Sequence, residues 1–167
     1  MFSESARMSS AAELRYRVQA PNSKTRATAI IALDAPSESF VRRLSRDHWN
    51  DATFLTTDAS DTPIDPQADD GWLTTIADRR TRVRDVVDSA DQVIMVAAAG
   101  GRAGAAEIIG RACSRKRVTT TALIVGAADA SDADVSRTLA QLRPWSLMVV
   151  IANSDDYVTD MMTALRV

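Results

Sequence analysis

Cysteine, histidine and glycine are scarce in this sequence, and each shortage excludes a class of site. The one cysteine, Cys113, cannot form an intramolecular disulfide or build a cysteine-based zinc site. The one histidine, His48, cannot supply a two-histidine metal site or relay within a monomer. The sequence has no Walker loop, no G-x-S-x-G turn and no Ser-His-acid arrangement. We therefore expect no metal site, and the question of an enzyme stays open with the balance against it.

Long apolar runs and a strong net charge are missing as well. The longest apolar run, Val93–Ala99, is far shorter than the roughly 20 residues that cross a bilayer. The N-terminus has no apolar signal-peptide core. The formal net charge of −2 provides no basic field for nucleic acid or for an acidic membrane. We predict a cytoplasmic protein with neither a nucleic-acid partner nor a membrane partner.

What the sequence does contain is an alternation of short apolar runs with amphipathic segments. The apolar runs predict five strands, at Thr28–Leu33, Ala52–Thr56, Val93–Ala99, Val118–Val125 and Leu147–Ala152. Helical patterns occur at Glu38–Arg46, Trp72–Ala90, Ala103–Ser114, Asp132–Leu142 and from Asp155 onward. This alternation predicts an α/β fold with a three-layer, doubly wound, Rossmann-like parallel sheet of about five strands.

The same patterns divide the chain into a leader and one domain. Residues 1–24 have little apolar periodicity and are predicted to be a partly disordered leader. Residues 25–167 are predicted to form a single domain. The aspartate-rich segment Thr57–Gly71 is longer than most strand-to-helix connections and is interpreted as a solvated acidic loop. The buried face predicted for the helix Trp72–Ala90 consists of Leu73, Ile76, Val83, Val86 and Val87.

The stretch with the most recognisable chemical use is Asp91–Gly104, in which an apolar strand runs into glycines and then into a helix. Such a turn directs backbone N–H groups and a helix N-terminus to one point, which suits a phosphate group. Gly100, Gly101 and Gly104 are therefore candidate phosphate-binding residues, with Arg102 as a charged clamp. A tight strand-to-helix turn, with Gly104 allowing close helix packing, is the alternative explanation.

Two further loops follow the carboxyl ends of predicted strands, where ligands bind in doubly wound folds. Asp34 and Ser37 follow the first strand, and Asn153 and Asp155 follow the fifth. A carboxylate at Asp34 could hold a cation or act as a general base. Helix capping explains both pairs without any ligand.

Four stretches carry a family resemblance. They are I-I-A-L-D-A-P-S-E-S-F-V-R-R-L, F-L-T-T-D, S-A-D-Q-V-I-M-V-A-A-A-G-G-R-A-G-A-A-E-I-I-G-R-A with T-T-A-L-I-V, and L-M-V-V-I-A-N-S-D-D-Y-V. Together they cover about Thr28–Val158, and in order and spacing this region resembles the GTP-binding domain of FtsZ, the bacterial relative of tubulin. The resemblance implies GTP or another nucleotide as the ligand and places Asn153 where the family contacts the nucleotide base.

The sequence departs from this family in both phosphate loops. The loop Asp34–Glu38 contains no glycine and adds two carboxylates, which would repel a triphosphate. The signature loop is reduced to Gly100, Gly101 and Gly104, with Arg102 inserted. The catalytic acids that a second domain supplies in the family have no counterpart here. We interpret the chain as a reduced, degenerate relative in which GTP hydrolysis and filament formation are not expected.

Two hypotheses about function follow. The first is an FtsZ-like, Rossmann-type binding module that holds a nucleotide or phosphate ligand, or that has lost it and serves as a protein-interaction domain. The alternative is a small cytosolic enzyme that binds a dinucleotide or phosphorylated metabolite at Gly100–Gly104, where Ala99 replaces the first glycine of the dinucleotide fingerprint and Asp129 could approach a ribose. Trp72, Trp145 and the pair Met161–Met162 are candidates for docking a protein partner or a second copy in a homo-oligomer, with core packing as the alternative.

Overall fold

The structure is a computed structural model that describes residues 25–57 and 71–167. These residues form an α/β fold with a seven-stranded, mostly parallel sheet flanked by helices. The strands are β1 (Thr28–Ala32), β2 (Ala52–Thr57), β3 (Trp72–Thr75), β4 (Arg80–Arg82), β5 (Gln92–Ala98), β6 (Thr119–Val125) and β7 (Met148–Ile151). The helices are α1 (Ala35–Leu44), α2 (Val83–Ser89), α3 (Ala106–Lys116), α4 (Asp132–Leu142) and α5 (Asp155–Ala164). The predicted leader and nearly all of the acidic segment lie outside the described residues.

The order of strands in the sheet is β4-β3-β2-β1-β5-β6-β7. The five strands predicted from apolar runs are all present, each with ends within one residue of the prediction, and they pair in parallel as β2-β1-β5-β6-β7. Strand order therefore reverses at β1 and β5. Their carboxyl ends form the switch point at which ligands bind in doubly wound folds.

The predicted helix Trp72–Ala90 is wrong over its first half. Trp72–Thr75 and Arg80–Arg82 form an antiparallel hairpin that extends the sheet beyond β2, and only Val83–Ser89 is helical. Leu73 is buried as predicted, but on a strand. The sheet consequently has two more strands than the apolar runs indicated.

The hairpin forms because its residues favour extended backbone. Aromatic and β-branched residues such as Trp72 and its threonine neighbours pack well on a pleated surface. Trp72 lies opposite Arg82, whose guanidinium is 4.5 Å from the centre of the indole ring. Asp78, in the turn, has a φ of 56°, which interrupts a helix. The spacing of apolar residues in the sequence does not reveal strand pairing of this kind.

Side chains from alternate strand positions form one core on each face of the sheet. On one face, Ile31 and Met95 pack with residues of α2, α3 and α4. On the other, Ile30 and Ile94 pack with residues of α1 and α5. Burial on both faces explains why the central strands are continuous apolar runs instead of alternating ones. Within residues 25–57 and 71–167, no helix combines the length and the apolar character needed to cross a membrane.

Close packing of α3 against Trp145 leads to a prediction. A Cβ at Gly110 would lie 2.5 Å from the Cβ of Trp145, whereas a Cβ at Gly104 would meet nothing within 4 Å. Alanine favours a helix by about 1 kcal/mol over glycine, but at Gly110 its methyl group would overpack against Trp145. We therefore expect Gly110→Ala to lower the free energy of unfolding by about 1–3 kcal/mol.

Gly104→Ala is the matched control. It is expected to be neutral or to raise the free energy of unfolding by about 0.4–1 kcal/mol, because it only restricts the unfolded chain. Urea denaturation of both variants measures the difference. Equal midpoints for the two variants would contradict the close approach of Trp145 to α3.

Candidate functional site

The switch point brings together three of the predicted site residues, Asp34, Ser37 and Gly101. Asp34 follows β1 and is the N-cap of α1. Its Oδ1 accepts a hydrogen bond from the backbone N–H of Ser37 at 2.8 Å, and its own N–H donates to Ser37 Oγ at 3.2 Å. This reciprocal pair is a capping box. Ser37 is completely buried, whereas Asp34 itself is half-buried.

The second carboxylate oxygen of Asp34 reaches across the switch point to β5. Oδ2 accepts a hydrogen bond from the backbone N–H of Ala98, the last residue of that strand, at 3.0 Å. A Cβ at Gly101 would lie 2.1 Å from the same oxygen and 2.9 Å from the Ala98 carbonyl oxygen. Gly101 therefore lets the backbone pass directly beside the carboxylate. The space beside this glycine is filled by the side chain of Asp34.

Three backbone N–H groups of the glycine loop (Gly100–Gly104) already have acceptors inside the protein. Gly100 donates to Thr138 Oγ1 at 2.9 Å and Ala103 donates to Gln141 Oε1 at 2.8 Å, both on α4. Gly101 donates within the turn itself, to a carbonyl oxygen three residues earlier, at 2.9 Å. An anion could use these donors only by displacing the acceptors that they now have. The geometry therefore favours the tight-turn explanation for this part of the loop.

Two carboxylates flank the glycine loop. Asp34 lies beside Gly101, and the Asp134 carboxyl carbon would be 3.3 Å from a Cβ at Gly100. A hydrogen bond from the Ser131 hydroxyl, at 2.7 Å, and the nearby charge of Arg137 hold the pKa of Asp134 below its usual value. Asp134 is therefore ionised at neutral pH, which makes the surroundings of the loop less favourable for a phosphate group.

Each glycine of the loop has a different structural setting. Gly100 has a φ of 81°, a conformation that favours glycine in a turn. Gly101 allows the close approach of Asp34. Gly104 is exposed and has open space around it, so the explanation that it permits close helix packing is wrong. Arg102 is also exposed.

Asn153 and Asp155 lie at the start of α5, and both are exposed. Ser154 is the N-cap, and its Oγ accepts a hydrogen bond from the backbone N–H of Tyr157 at 3.3 Å. Asp155 pairs with Arg43 on α1 at 3.1 Å, so it links two helices. Helix capping accounts for this segment, which is the alternative to ligand binding given in the sequence analysis.

Two residues that anchor the loop were missed by the sequence analysis. Thr138 is completely buried, and Gln141 lies one turn further along α4. The signal for Thr138 was its position on the apolar face of the helix, three residues after Val135 and four before Leu142. A hydroxyl at a buried helical position needs a partner, and here the partner is the N–H of Gly100.

Across the two described ranges, no group of three or more histidine, cysteine or carboxylate side chains could hold a metal ion. Neither a protein-family model nor a curated protein matches this sequence. The resemblance to FtsZ therefore stays a prediction.

The double role of Asp34 can be tested by substitution. Asp34→Ala removes the helix cap, which contributes about 1 kcal/mol, and leaves the Ala98 N–H without its acceptor, at about 1–3 kcal/mol. We expect the free energy of unfolding, measured by urea denaturation, to fall by about 2–4 kcal/mol.

Asp155→Ala is the matched control, because it removes an acidic residue whose ion pair with Arg43 is exposed on both sides. Its expected effect is less than about 1 kcal/mol. Asp34→Asn keeps one oxygen acceptor but turns its amide toward a second donor. Its loss in free energy of unfolding should lie between those of Asp34→Ala and Asp155→Ala. Similar losses for Asp34→Ala and Asp155→Ala would contradict the bridging role of Asp34.

Cys113 on α3 is completely buried, and burial raises the pKa of its thiol to about 12. Because the thiolate is the reactive form, we expect iodoacetamide at pH 8 to label this residue only after unfolding. The raised pKa contributes stability that is present below the unfolded-state pKa of 9.0 and is lost as pH rises toward 12. Mass spectrometry measures the labelling, and rapid modification of the native protein would contradict the burial.

Proposed function

We propose that this chain is a three-layer, doubly wound binding module of Rossmann type that acts as a cytoplasmic protein-interaction domain and not as a nucleotide-dependent enzyme. The observation that supports this proposal is the Asp34 carboxylate, which lies beside Gly101 and joins α1 to β5. In this proposal the first loop, which would contact phosphates in the FtsZ family, has become a structural cap. The chain would then be a reduced relative of that family that has lost its ligand.

The energetics of the switch point support this choice. A phosphate beside Gly101 would require Asp34 to leave, which gives up the cap and the Ala98 hydrogen bond, at about 2–4 kcal/mol. Since 1.4 kcal/mol corresponds to a factor of ten, the affinity of the phosphate would fall by about 30- to 700-fold. The ionised Asp134 beside Gly100 adds repulsion.

The distribution of exposed apolar side chains also favours a role at the surface. Leu147, Met148 and Ile151 are 80%, 40% and 41% exposed. They lie in or next to β7, which forms one edge of the sheet. Met148–Ile151 contains no charge or proline of the kind that shields natural sheet edges. β4, at the other edge, carries two arginines that stack on Trp72.

The proposal predicts that nucleotides do not bind. A ligand that binds only the folded state must raise the melting temperature, so thermal-shift measurements with GTP, ATP, NAD and FMN, with and without Mg²⁺, test it directly. We expect no increase with any of the four compounds.

An increase with GTP or ATP would contradict the proposal and favour the nucleotide hypothesis. It should then be lost in Arg102→Ala and kept in Arg46→Ala, which changes an exposed arginine in the turn after α1 instead of on the loop. An increase with NAD or FMN would favour the enzyme.

A further inference from the structure

A groove of about 770 Å³ lies at the end of the sheet opposite the switch point. We call it the basic groove. One side is formed by Arg111, Arg115 and Arg117, on α3 and its C-cap, and the other by Trp145, Ser146 and Leu147, which precede β7. It is therefore formed where α3 ends and where β6 and β7 begin. None of the predicted site residues lines it.

The two walls of the groove are held together by packing. Gly110 lies against Trp145, and the ring of Trp145 also has the guanidinium of Arg111 at 5.7 Å from its centre. Glycine in the middle of a helix disfavours that helix by about 1 kcal/mol relative to alanine. Its presence here is explained by the close approach of Trp145.

The lining of the groove is basic. Its described residues include three arginines and, within 25–57 and 71–167, no carboxylate, although the whole chain has a net charge of −2. Arg111 pairs with Glu107, one turn earlier on α3 and outside the lining. Arg115 and Arg117 are exposed. A guanidinium presents planar, paired donors that match a carboxylate, so this lining is complementary to acidic side chains.

The groove also has an apolar part. Leu147 is 80% exposed, the highest value among the large hydrophobic residues described as exposed. It lies in the lining with Val118 and the half-buried Trp145. Exposed apolar surface that is rimmed by polar and charged residues is typical of a site that binds another protein. A partner for this surface needs an apolar side chain as well as negative charge.

We propose that the basic groove binds an acidic, extended peptide segment of a partner protein. Carboxylates of the peptide contact Arg115 and Arg117, and one of its apolar side chains packs on Leu147 and Trp145. This inference rests on the proposed role as an interaction domain and names the surface and the partner chemistry. A nucleic acid fits less well, because its backbone binds along an extended basic track and has no aliphatic side chain for Leu147.

Fluorescence anisotropy with a fluorescein-labelled peptide, E-D-E-L-D-D-L-E-D-E, tests the proposal on the full chain. We expect saturable binding that weakens as salt is added. The double variant Arg115→Glu/Arg117→Glu should weaken binding by about tenfold or more, and Leu147→Ser by a few fold. Arg46→Glu is the matched control and should bind like the unaltered protein, because it reverses an exposed arginine in the turn after α1, outside the groove lining.

Two control peptides, a second variant and a folding check keep the result unambiguous. A peptide with Gln and Asn in place of Glu and Asp should not bind, and one with Ser in place of Leu should bind more weakly. If the double charge reversal unfolds the protein, Arg115→Gln/Arg117→Gln replaces it. Thermal unfolding confirms that each variant is folded.

The proposal is overturned if the acidic peptide does not bind, if the arginine variants bind it unchanged, or if labelled oligothymidine binds more tightly. Failure of this inference can be distinguished from failure of the proposed function. If the peptide does not bind and no nucleotide raises the melting temperature, only the peptide-binding proposal for the basic groove is contradicted. If a nucleotide raises the melting temperature, the interaction-domain proposal itself is contradicted.

Discussion

The carboxylate of Asp34 holds the carboxyl end of the sheet together through its two oxygens. One oxygen fixes the first turn of α1 by accepting the N–H of Ser37, and the other fixes the end of β5 by accepting the N–H of Ala98. Gly101 must be glycine for the glycine loop to pass beside this side chain. Thr138 and Gln141 then bind the rest of the loop to α4. The place where an α/β protein usually binds a ligand is thereby used for internal hydrogen bonds.

The opposite end of the sheet has a different character. There, the close contact between Gly110 and Trp145 leaves an open groove lined by arginines and by the exposed Leu147. A carboxylate with both oxygens in internal hydrogen bonds is compatible with a rigid, closed end, whereas exposed guanidinium groups beside apolar surface are compatible with recognition of another chain. The two ends together support a division in which one end stabilises the fold and the other meets a partner.

Much of the fold could be predicted from the sequence because burial on both faces of a parallel sheet produces unbroken apolar runs, such as Val93–Ala99. The helix Asp132–Leu142 was predicted with its observed ends, since Ser131 caps it and Pro144 lies just beyond it. The hairpin after Gly71 was not predicted, because Leu73, Val83 and Val86 fit a helical period as well as they fit a strand and a short helix. Periodicity alone does not separate these cases.

The candidate site was predictable only in part. Loop positions after β1 and β5 were located correctly, because parallel strands end at the same edge. Whether the glycine-loop amides face open space depends on side chains 38 positions away on α4, such as Thr138 and Gln141, and on one rotamer of Asp34. No local pattern records such partners. The basic groove likewise depends on two segments, around Arg115 and Leu147, that only the fold brings together.

The central position of β1 has a consequence for how the chain folds. β1 pairs with β2 nearby in sequence, but its other neighbour is β5, and Thr28 and Gln92 are separated by 64 residues. The cap of α1 needs only its own first turn, whereas the bond from Ala98 to Asp34 requires this long loop to close first. During folding, Asp34 therefore caps α1 early and accepts the N–H of Ala98 late, when β5 joins β1.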